Sequence, residues 1–459
     1  MFTSVTLPMW LLVLILLFAA VTFATHFLNP TVRWFFRNRA ERVVARLNQR
    51  LDVPIQPFKL AARHDTILRL IYDPEVTRAV AEHAHATGLR EDAAFAVAKR
   101  YAREIVPSFS ASAYFGFAIR AARWLSNSLF HVRVEEGRDD LLHGIDPEAT
   151  IVFVMNHRSN MDYVLVTWLS GTRSALSYAV GEWARVWPLS PLIRAMGAYF
   201  IRRTARTPLY RRVLARYVQQ SIGAGVTQGI FPEGGLSLDG AMGPAKLGLL
   251  GYIVEGATRD VVFVPVALNY DQVLEDRILV EAGQQGVRRF RGSLFSNGMF
   301  ILRWLGRRIT GQSHRFGHAA VAFGQPVALR DVPGDTPKAR TTALADALMA
   351  ELRRAVPVLP VPMACLALQG AVGAMARGDL LARMEAMAGQ VPGVMCLTGS
   401  HGALNLMLSR GMVREKDGMI RVQPGQEPLV AFYAATIVHH FGGDAAVQEV
   451  AREFATPET

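Results

Sequence analysis

His157 and Asp162 stand five positions apart in the stretch MNHRSNMDYVL, directly after the apolar run TIVFV. An imidazole oriented by a carboxylate is the simplest general base a protein can build: it titrates near neutral pH, and the carboxylate fixes its tautomer and supports the imidazolium. Spacing alone does not make such a pair. On an unbroken helix five residues turn about 500°, which leaves the two side chains some 140° apart. A working pair needs a break in the chain between its members. SNMD, residues 159–162, matches the Ser/Thr-x-x-Asp/Glu pattern that starts helices. His157 would then end a strand, and Asp162 would lie in the first turn of a helix, from which its carboxylate reaches back. The competing reading is structural, with Asp162 only capping and His157 only donating to a backbone carbonyl. A second pair of the same spacing, His439 and Asp444 in HHFGGD, makes that caution concrete. It follows the helical PLVAFYAATIV and has no strand before it, which favours the structural reading there.

If the first pair works, something must be deprotonated. No GxSxG elbow supplies a serine nucleophile. Ser159 is the nearest hydroxyl and reads foremost as a cap, so the proton is expected from a substrate hydroxyl. Two later strand ends indicate what else the substrate carries. GAYFIRRT leaves Arg202 and Arg203 side by side, and FPEGGLSLDG leaves Glu233, Gly234 and Gly235. Guanidinium groups with glycine-freed backbone N–H groups suit a phosphate. Neighbours on a strand face opposite ways, so one arginine is expected to bind and the other to be structural, without an assignment of which. Lys246 in GPAKLG is a further cation for the same anion, against the commoner reading of a solvated surface lysine.

These residues require a frame that brings strand ends together. From about residue 149 the sequence alternates short β-branched runs with helical stretches: TIVFVMN, SALSYAV, GAYFIRR, TQGIFPEGG, VVFVPVALNY and AAVAFGQPV. That alternation predicts an α/β fold with a mixed, largely parallel sheet flanked by helices, in which function gathers at the carboxyl ends of the strands. The catalytic domain is expected over residues 146–330. DVPGDTPKARTT, residues 331–342, reads as a linker by its Pro, Gly and charge content, and residues 331–459 read as mainly helical. Residues 33–145 read as a helical, membrane-surface region, on the basic and aromatic stretches Trp34–Leu51 and Tyr114–Phe130, with Pro107 closing one helix.

Residues 1–32 carry no Lys, Arg, Asp or Glu, and Leu7–Leu28 is almost wholly apolar. About 20 such residues span a bilayer as a helix. Arg33, Arg37, Arg39 and Arg42 follow the run, which by the positive-inside rule predicts a single-pass anchor with the catalytic domain on the cytoplasmic side, at the inner membrane in a bacterium. The net charge of +12 and a pI near 10.1 suit an anionic partner. Cys365 and Cys396 are the only cysteines and lie far apart, which argues against a disulfide scaffold or a zinc site.

NHRSNMDY, GAYFIRR, FPEGGLS and VPVALNYD, in that order, resemble the four motifs of the glycerolipid acyltransferases that carry a His-x4-Asp motif. HRSNMDY with MGAYFIRRT is most similar to the glycerol-3-phosphate 1-acyltransferases, and the likeness is densest over residues 150–330. The resemblance implies transfer of an acyl group from acyl-CoA or acyl-carrier protein to the sn-1 hydroxyl of glycerol 3-phosphate, giving lysophosphatidic acid. His157 would take the hydroxyl proton and Asp162 would orient it, with no metal, no cofactor beyond the acyl co-substrate and no obligatory acyl-enzyme. Arg202 with Glu233, Gly234 and Gly235 would hold the glycerol phosphate, and Pro265 would shape the pocket. PLVAFYAATIVHHF extends a weaker likeness toward the C-terminus. The third motif departs from the family: Leu236 stands where an arginine is usual, so Arg202, Arg203 or Lys246 must compensate. Asn156 is shared with relatives that use lysophosphatidate, which keeps 1-acylglycerol 3-phosphate and dihydroxyacetone phosphate as alternative acceptors.

The expected partners are therefore membrane phospholipid, glycerol 3-phosphate and an acyl donor. A reading of another class is a non-enzymatic protein that binds anionic membranes through basic, aromatic segments such as Arg288–Arg308. Nucleic acid is not expected, since the basic residues interleave with large apolar faces and no recognised module occurs.

Overall fold

The computed structural model describes residues 8–23, 42, 44–51, 53–171, 174–181, 189–202, 207–286, 315–369 and 373–442 of the 459. Arg203, Asp444, the segment Arg288–Arg308 and half of Trp34–Leu51 lie outside these described residues.

The apolar β-branched runs become strands because their side chains can be buried on both faces of a covered sheet. The described residues build one eight-stranded sheet from β1 (His131–Val134), β2 (Thr150–Met155), β3 (Ser177–Val180), β4 (Tyr199–Phe200), β5 (Gln228–Ile230), β6 (Val261–Tyr270), β7 (His318–Phe323) and β8 (Val327–Ala328). The order is β1-β7-β6-β2-β5-β3-β4, with β8 also paired to β6. β6, β2, β5, β3 and β4 run parallel, while β7 and β8 run antiparallel to β6 and β1 follows β7. This is the mixed, largely parallel α/β sheet that the sequence predicts. All ten residues of β6 are buried. Pro265 sits at its middle, where Gly324–Pro326 bulge out between β7 and β8 and the Gly324 N–H donates to the Pro265 carbonyl (3.0 Å).

β2 lies between β5 and β6, and the chain leaves β2 toward β3 on one side but leaves β5 toward β6 on the other. The carboxyl ends of β2, β5 and β6 thus meet at a topological switch point, where open α/β sheets place their ligands.

Helices Arg63–Ile71, Pro74–Thr87 and Glu91–Ile105 pack with the helix Pro208–Gly223. Asp73 is the joint: it accepts from the Glu75 N–H at 3.0 Å to cap its own helix and takes Arg216 in a bidentate pair at 2.9 and 2.8 Å. The helix over residues 91–105 ends two residues before Pro107, as the restricted residue before proline demands.

Three expectations of organisation change. The sheet begins at β1, inside the stretch read as helical up to residue 145; HVRV is a four-residue edge strand of alternating burial, too short to stand out. The expected linker ends at Thr336, whose Oγ1 accepts from the Ala339 N–H (3.1 Å) and starts the helix Pro337–Ala355 with proline in its first turn. Its Pro and Thr were a helix start, not loop punctuation. The C-terminal region adds β9 (Met375–Ala376), β10 (Val413–Lys416) and β11 (Met419–Val422), a small antiparallel sheet ordered β10-β11-β9, to its helices.

Residues 56–171 and 175–459 form one compact unit, and residues 1–55 with 172–174 form another. In the second, the apolar run folds as the helix Met9–Phe23, of 15 residues. At 1.5 Å per residue it reaches about 22 Å, short of the ~30 Å of a bilayer core. Among the described residues no helix is long and apolar enough to cross a membrane, so the expected transmembrane anchor over residues 1–32 finds no support. Residues 1–7 and 24–32 of the expected anchor lie outside the described residues.

The C-terminal region is bonded into the sheet. Asn269 donates to the Pro357 carbonyl (2.9 Å), and Asp271, 2% exposed, accepts from the Val361 N–H (2.9 Å) and from both the N–H and Nδ1 of His318 (2.8 Å each). Asp271→Ala leaves one buried and two half-buried donors unmatched, and at roughly 1 kcal/mol for the first and less for the others it lowers unfolding stability by about 2 kcal/mol, read as a lower urea midpoint by circular dichroism.

Candidate active site

His157 follows β2 by two residues, and Asp162 is the second residue of the helix Met161–Ser170. The single residue between β2 and His157 is Asn156, whose side-chain amide continues the ladder onto β6: Nδ2 donates to the Leu268 carbonyl (2.9 Å) and Oδ1 accepts from the Leu268 N–H (2.7 Å). The turn then bends as the capping pattern predicts. Ser159 Oγ accepts from the Met161 N–H (3.1 Å), and Asp162 Oδ2 reaches back to the N–H groups of Arg158 (2.7 Å) and Ser159 (3.0 Å). The same oxygen lies 2.9 Å from His157 Nδ1. Since a carboxylate only accepts, Nδ1 carries the proton and Nε2 presents its lone pair on the far edge of the ring. Capping and orienting are one device here, so the two readings of Asp162 are not alternatives.

The pair is deeply set, with His157 3% and Asp162 0% exposed. Phe231 covers the imidazole face at 4.3 Å between centroids and 33° between planes, and Tyr163 meets it edge-on at 5.3 Å. Such walls exclude water and strengthen every charge interaction inside them.

Two buried carboxylates hold the turn. Glu233 accepts from the N–H groups of His157 (2.9 Å) and Gly243 (3.0 Å), while the Ser237 N–H donates to the His157 carbonyl (3.1 Å). Glu275, beyond β6, accepts from Ser159 Oγ (2.8 Å) and Asn160 Nδ2 (3.0 Å). Burial raises the pKa of both carboxyls, favouring the neutral form; the Arg158 charge and the two N–H donors oppose this at Glu233, as the Ser159 and Asn160 donors do at Glu275. Arg158 is itself buried at 2% exposed, donates to the Gly240 carbonyl and feels the charges of Glu233, Asp162 and Asp239. Gly240 has φ +82°, and a Cβ there would lie 1.8 Å from the Phe432 carbonyl oxygen, so the C-terminal region forms the floor of this loop.

The structure divides the expected anion ligands. Glu233 is turned to backbone N–H groups, which makes it a builder of the site, and a carboxylate repels phosphate. Gly234 has φ +66°, and a Cβ on it would come within 2.8 Å of Lys246 Cδ and 3.1 Å of Nζ. Lys246 therefore crosses directly over the glycine turn, and its own N–H is bonded to the Pro232 carbonyl (2.8 Å). Gly235 continues that turn. Arg202 is elsewhere: it lies two residues beyond β4, a strand three positions from β2 or about 14 Å at ~4.8 Å spacing. Its guanidinium forms a bidentate pair with Glu104 at 2.8 and 2.7 Å and lies over the rings of Tyr101 and Tyr210. His157, Asp162, Glu233, Gly234 and Lys246 are thus brought together, and Arg202 is not.

His439, from the second pair, donates Nε2–H to the Arg353 carbonyl (2.9 Å), and burial pushes its titration down to about 3. That is the structural reading. Sequence reasoning missed Tyr270, Glu275 and Arg158. Tyr270 OH donates to Asp162 Oδ1 at 2.7 Å, from a position 108 residues away. Among the described residues no group of three or more His, Cys, Asp or Glu side chains is placed to hold a metal ion.

The chain matches the Acyltransferase family over residues 131–269 and the Glycerol-3-phosphate acyltransferase C-terminal region over residues 302–453. The first range starts at β1, and the second covers the helices that floor the site. A glycerol-3-phosphate acyltransferase of Shewanella amazonensis is 30% identical over 287 residues, 61% of this chain and 34% of that protein. One of Pseudomonas putida is 28% identical over 364 residues, 72% of this chain and 42% of that protein. The chain therefore spans between a third and a half of the length of these curated relatives. A solved structure, the 1-acyl-sn-glycerophosphate acyltransferase PlsC of Thermotoga maritima, shows a loose likeness, with a TM-score of 0.33 and 20% identity over 52% of this chain and 76% of that one.

Proposed function

We propose that the chain, which matches the Acyltransferase family and the Glycerol-3-phosphate acyltransferase C-terminal region, is a glycerolipid acyltransferase that transfers an acyl group from a thioester, acyl-CoA or acyl-carrier protein, to the sn-1 hydroxyl of glycerol 3-phosphate. The observation that carries the reading is the His157–Asp162 pair at 2.9 Å, set in the turn that leaves β2 beside the glycine turn crossed by Lys246. His157 Nε2 takes the acceptor hydroxyl proton as the oxygen attacks the thioester carbonyl. Asp162 holds the resulting imidazolium. When the tetrahedral intermediate collapses the C–S bond breaks, the ester remains on the acceptor, and the imidazolium returns its proton to the thiolate. Lysophosphatidic acid and free thiol leave.

The anion of the acceptor meets Lys246 and the Gly235 N–H, the Gly234 N–H being bonded to the Phe231 carbonyl (3.0 Å). Lys246 takes the place that Leu236 cannot fill. A charge-assisted bond contributes roughly 1.5–3 kcal/mol, so Lys246→Ala raises KM for glycerol 3-phosphate by at least about tenfold and leaves kcat within threefold, measured by initial rates over an acceptor series.

The deciding assay presents detergent-solubilised protein with glycerol 3-phosphate, dihydroxyacetone phosphate and 1-acylglycerol 3-phosphate, each with acyl-CoA and acyl-carrier protein. Labelled lysophosphatidic acid from glycerol 3-phosphate is the expected product. A preference for 1-acylglycerol 3-phosphate or dihydroxyacetone phosphate would move the acceptor, and no acyl transfer to any of them would overturn the reading.

A further inference from the structure

Tyr270 is the last residue of β6 and is 1% exposed. Its hydroxyl points across the strand end to Asp162, whose two oxygens are unequally loaded. Oδ2 receives His157 Nδ1–H, the Arg158 N–H and the Ser159 N–H; Oδ1 receives the Tyr270 hydroxyl at 2.7 Å. The two backbone donors come from the same turn as the histidine, so they move with it. Among the described residues Tyr270 alone ties the carboxylate to β6. Rotation of the carboxylate about Cβ–Cγ would carry Oδ2 off the imidazole, and the phenol opposes that rotation from the opposite side.

We infer that Tyr270 is a positioning residue for the acyl-transfer pair: its hydroxyl fixes the Asp162 carboxylate and sets how strongly that carboxylate supports a positive His157. Burial and the facing Asp162 charge push ionisation of the phenol well above its ordinary range, so it remains a donor at every working pH. A carboxylate that gives part of its charge to a fourth donor attracts the imidazolium less. Without that donor it holds the proton on His157 more tightly, and a base that keeps its proton to higher pH loses activity at the acid side. The inference depends on the acyl-transfer reading for its kinetic consequence and not for its titration.

Tyr270→Phe tests it, because the ring keeps its packing against Phe130, 5.4 Å away between centroids, and only the hydroxyl is removed. Tyr433→Phe is the control: it deletes another buried tyrosine hydroxyl, bonded to Asp276 and to the Val273 N–H. In Tyr270→Phe, kcat falls about tenfold, KM for acceptor and donor stays within twofold, and the acid limb of kcat/KM moves to higher pH. In 15N-histidine-labelled protein, the imidazole signal assigned to His157 by its loss in His157→Ala titrates at higher pH in Tyr270→Phe than in the wild type. Tyr433→Phe lowers the melting temperature and moves neither the acid limb nor that signal. An unmoved His157 titration in Tyr270→Phe overturns the inference, as does an equal movement in both variants. If the wild type transfers acyl groups to no acceptor, the functional reading fails, and the imidazole titration still decides the role of Tyr270.

Discussion

His157→Ala lowers kcat for acyl transfer to glycerol 3-phosphate by about 10³-fold, inside the 10² to 10⁴ that a positioned general base supplies. The side chain makes one hydrogen bond, to Asp162, which keeps the Arg158, Ser159 and Tyr270 donors after the substitution. The turn therefore survives, and KM for the acceptor changes by no more than about threefold, because Lys246 and the glycine turn do not depend on the imidazole. Parallel melting curves and radiolabelled acyl transfer measure both halves. A variant as active as the wild type would remove His157 from the chemistry and with it the proposed reaction.

Asp162→Asn has the second largest effect, and its cause can be specified. The N–H groups of Arg158 and Ser159 both point at Oδ2, so an asparagine places its carbonyl oxygen there and its amide toward the Tyr270 hydroxyl, which can turn to accept. The His157 Nδ1–H then still meets an oxygen, and the tautomer is retained. What is lost is the negative charge that stabilises the imidazolium. The expected fall in kcat is on the order of 10² to 10³, smaller than for His157→Ala, with folding preserved. Asp162→Ala removes the acceptor for all four donors, so it loses stability as well as rate; equal melting temperatures for the two variants would contradict this account of the turn.

The dyad, its strand and its helix were legible in the sequence because each is local: an apolar run, a capping pattern and a spacing that only a turn can close. β2, β3, β5 and β6 were legible for the same reason, being short runs with no room to be anything else. What escaped involves partners distant in sequence. Nothing near Arg202 reveals that Glu104 will neutralise it, and adjacent arginines at a strand end invited an anion where the fold supplies a carboxylate. Glu233 reads as a ligand because it lies in a glycine turn, yet its two oxygens are spent on main-chain N–H groups. Tyr270 was visible only as the end of VVFVPVALNY; a hydroxyl closing a buried strand whose first eight residues are apolar is the signal that could have marked it.

Gly240 beneath the Phe432 carbonyl gives the chain a property that its motif order conceals. The four ordered motifs end by residue 271, so an expression fragment stopping at Asp331 would contain all four. It would lack Phe432 under the loop that Arg158 grips, Pro357 and Val361 against the end of β6, and Tyr433 at Val273. Motif content and catalytic competence are separable here: a truncated gene product would be identifiable by all four motifs and still lack the floor of its active-site loop.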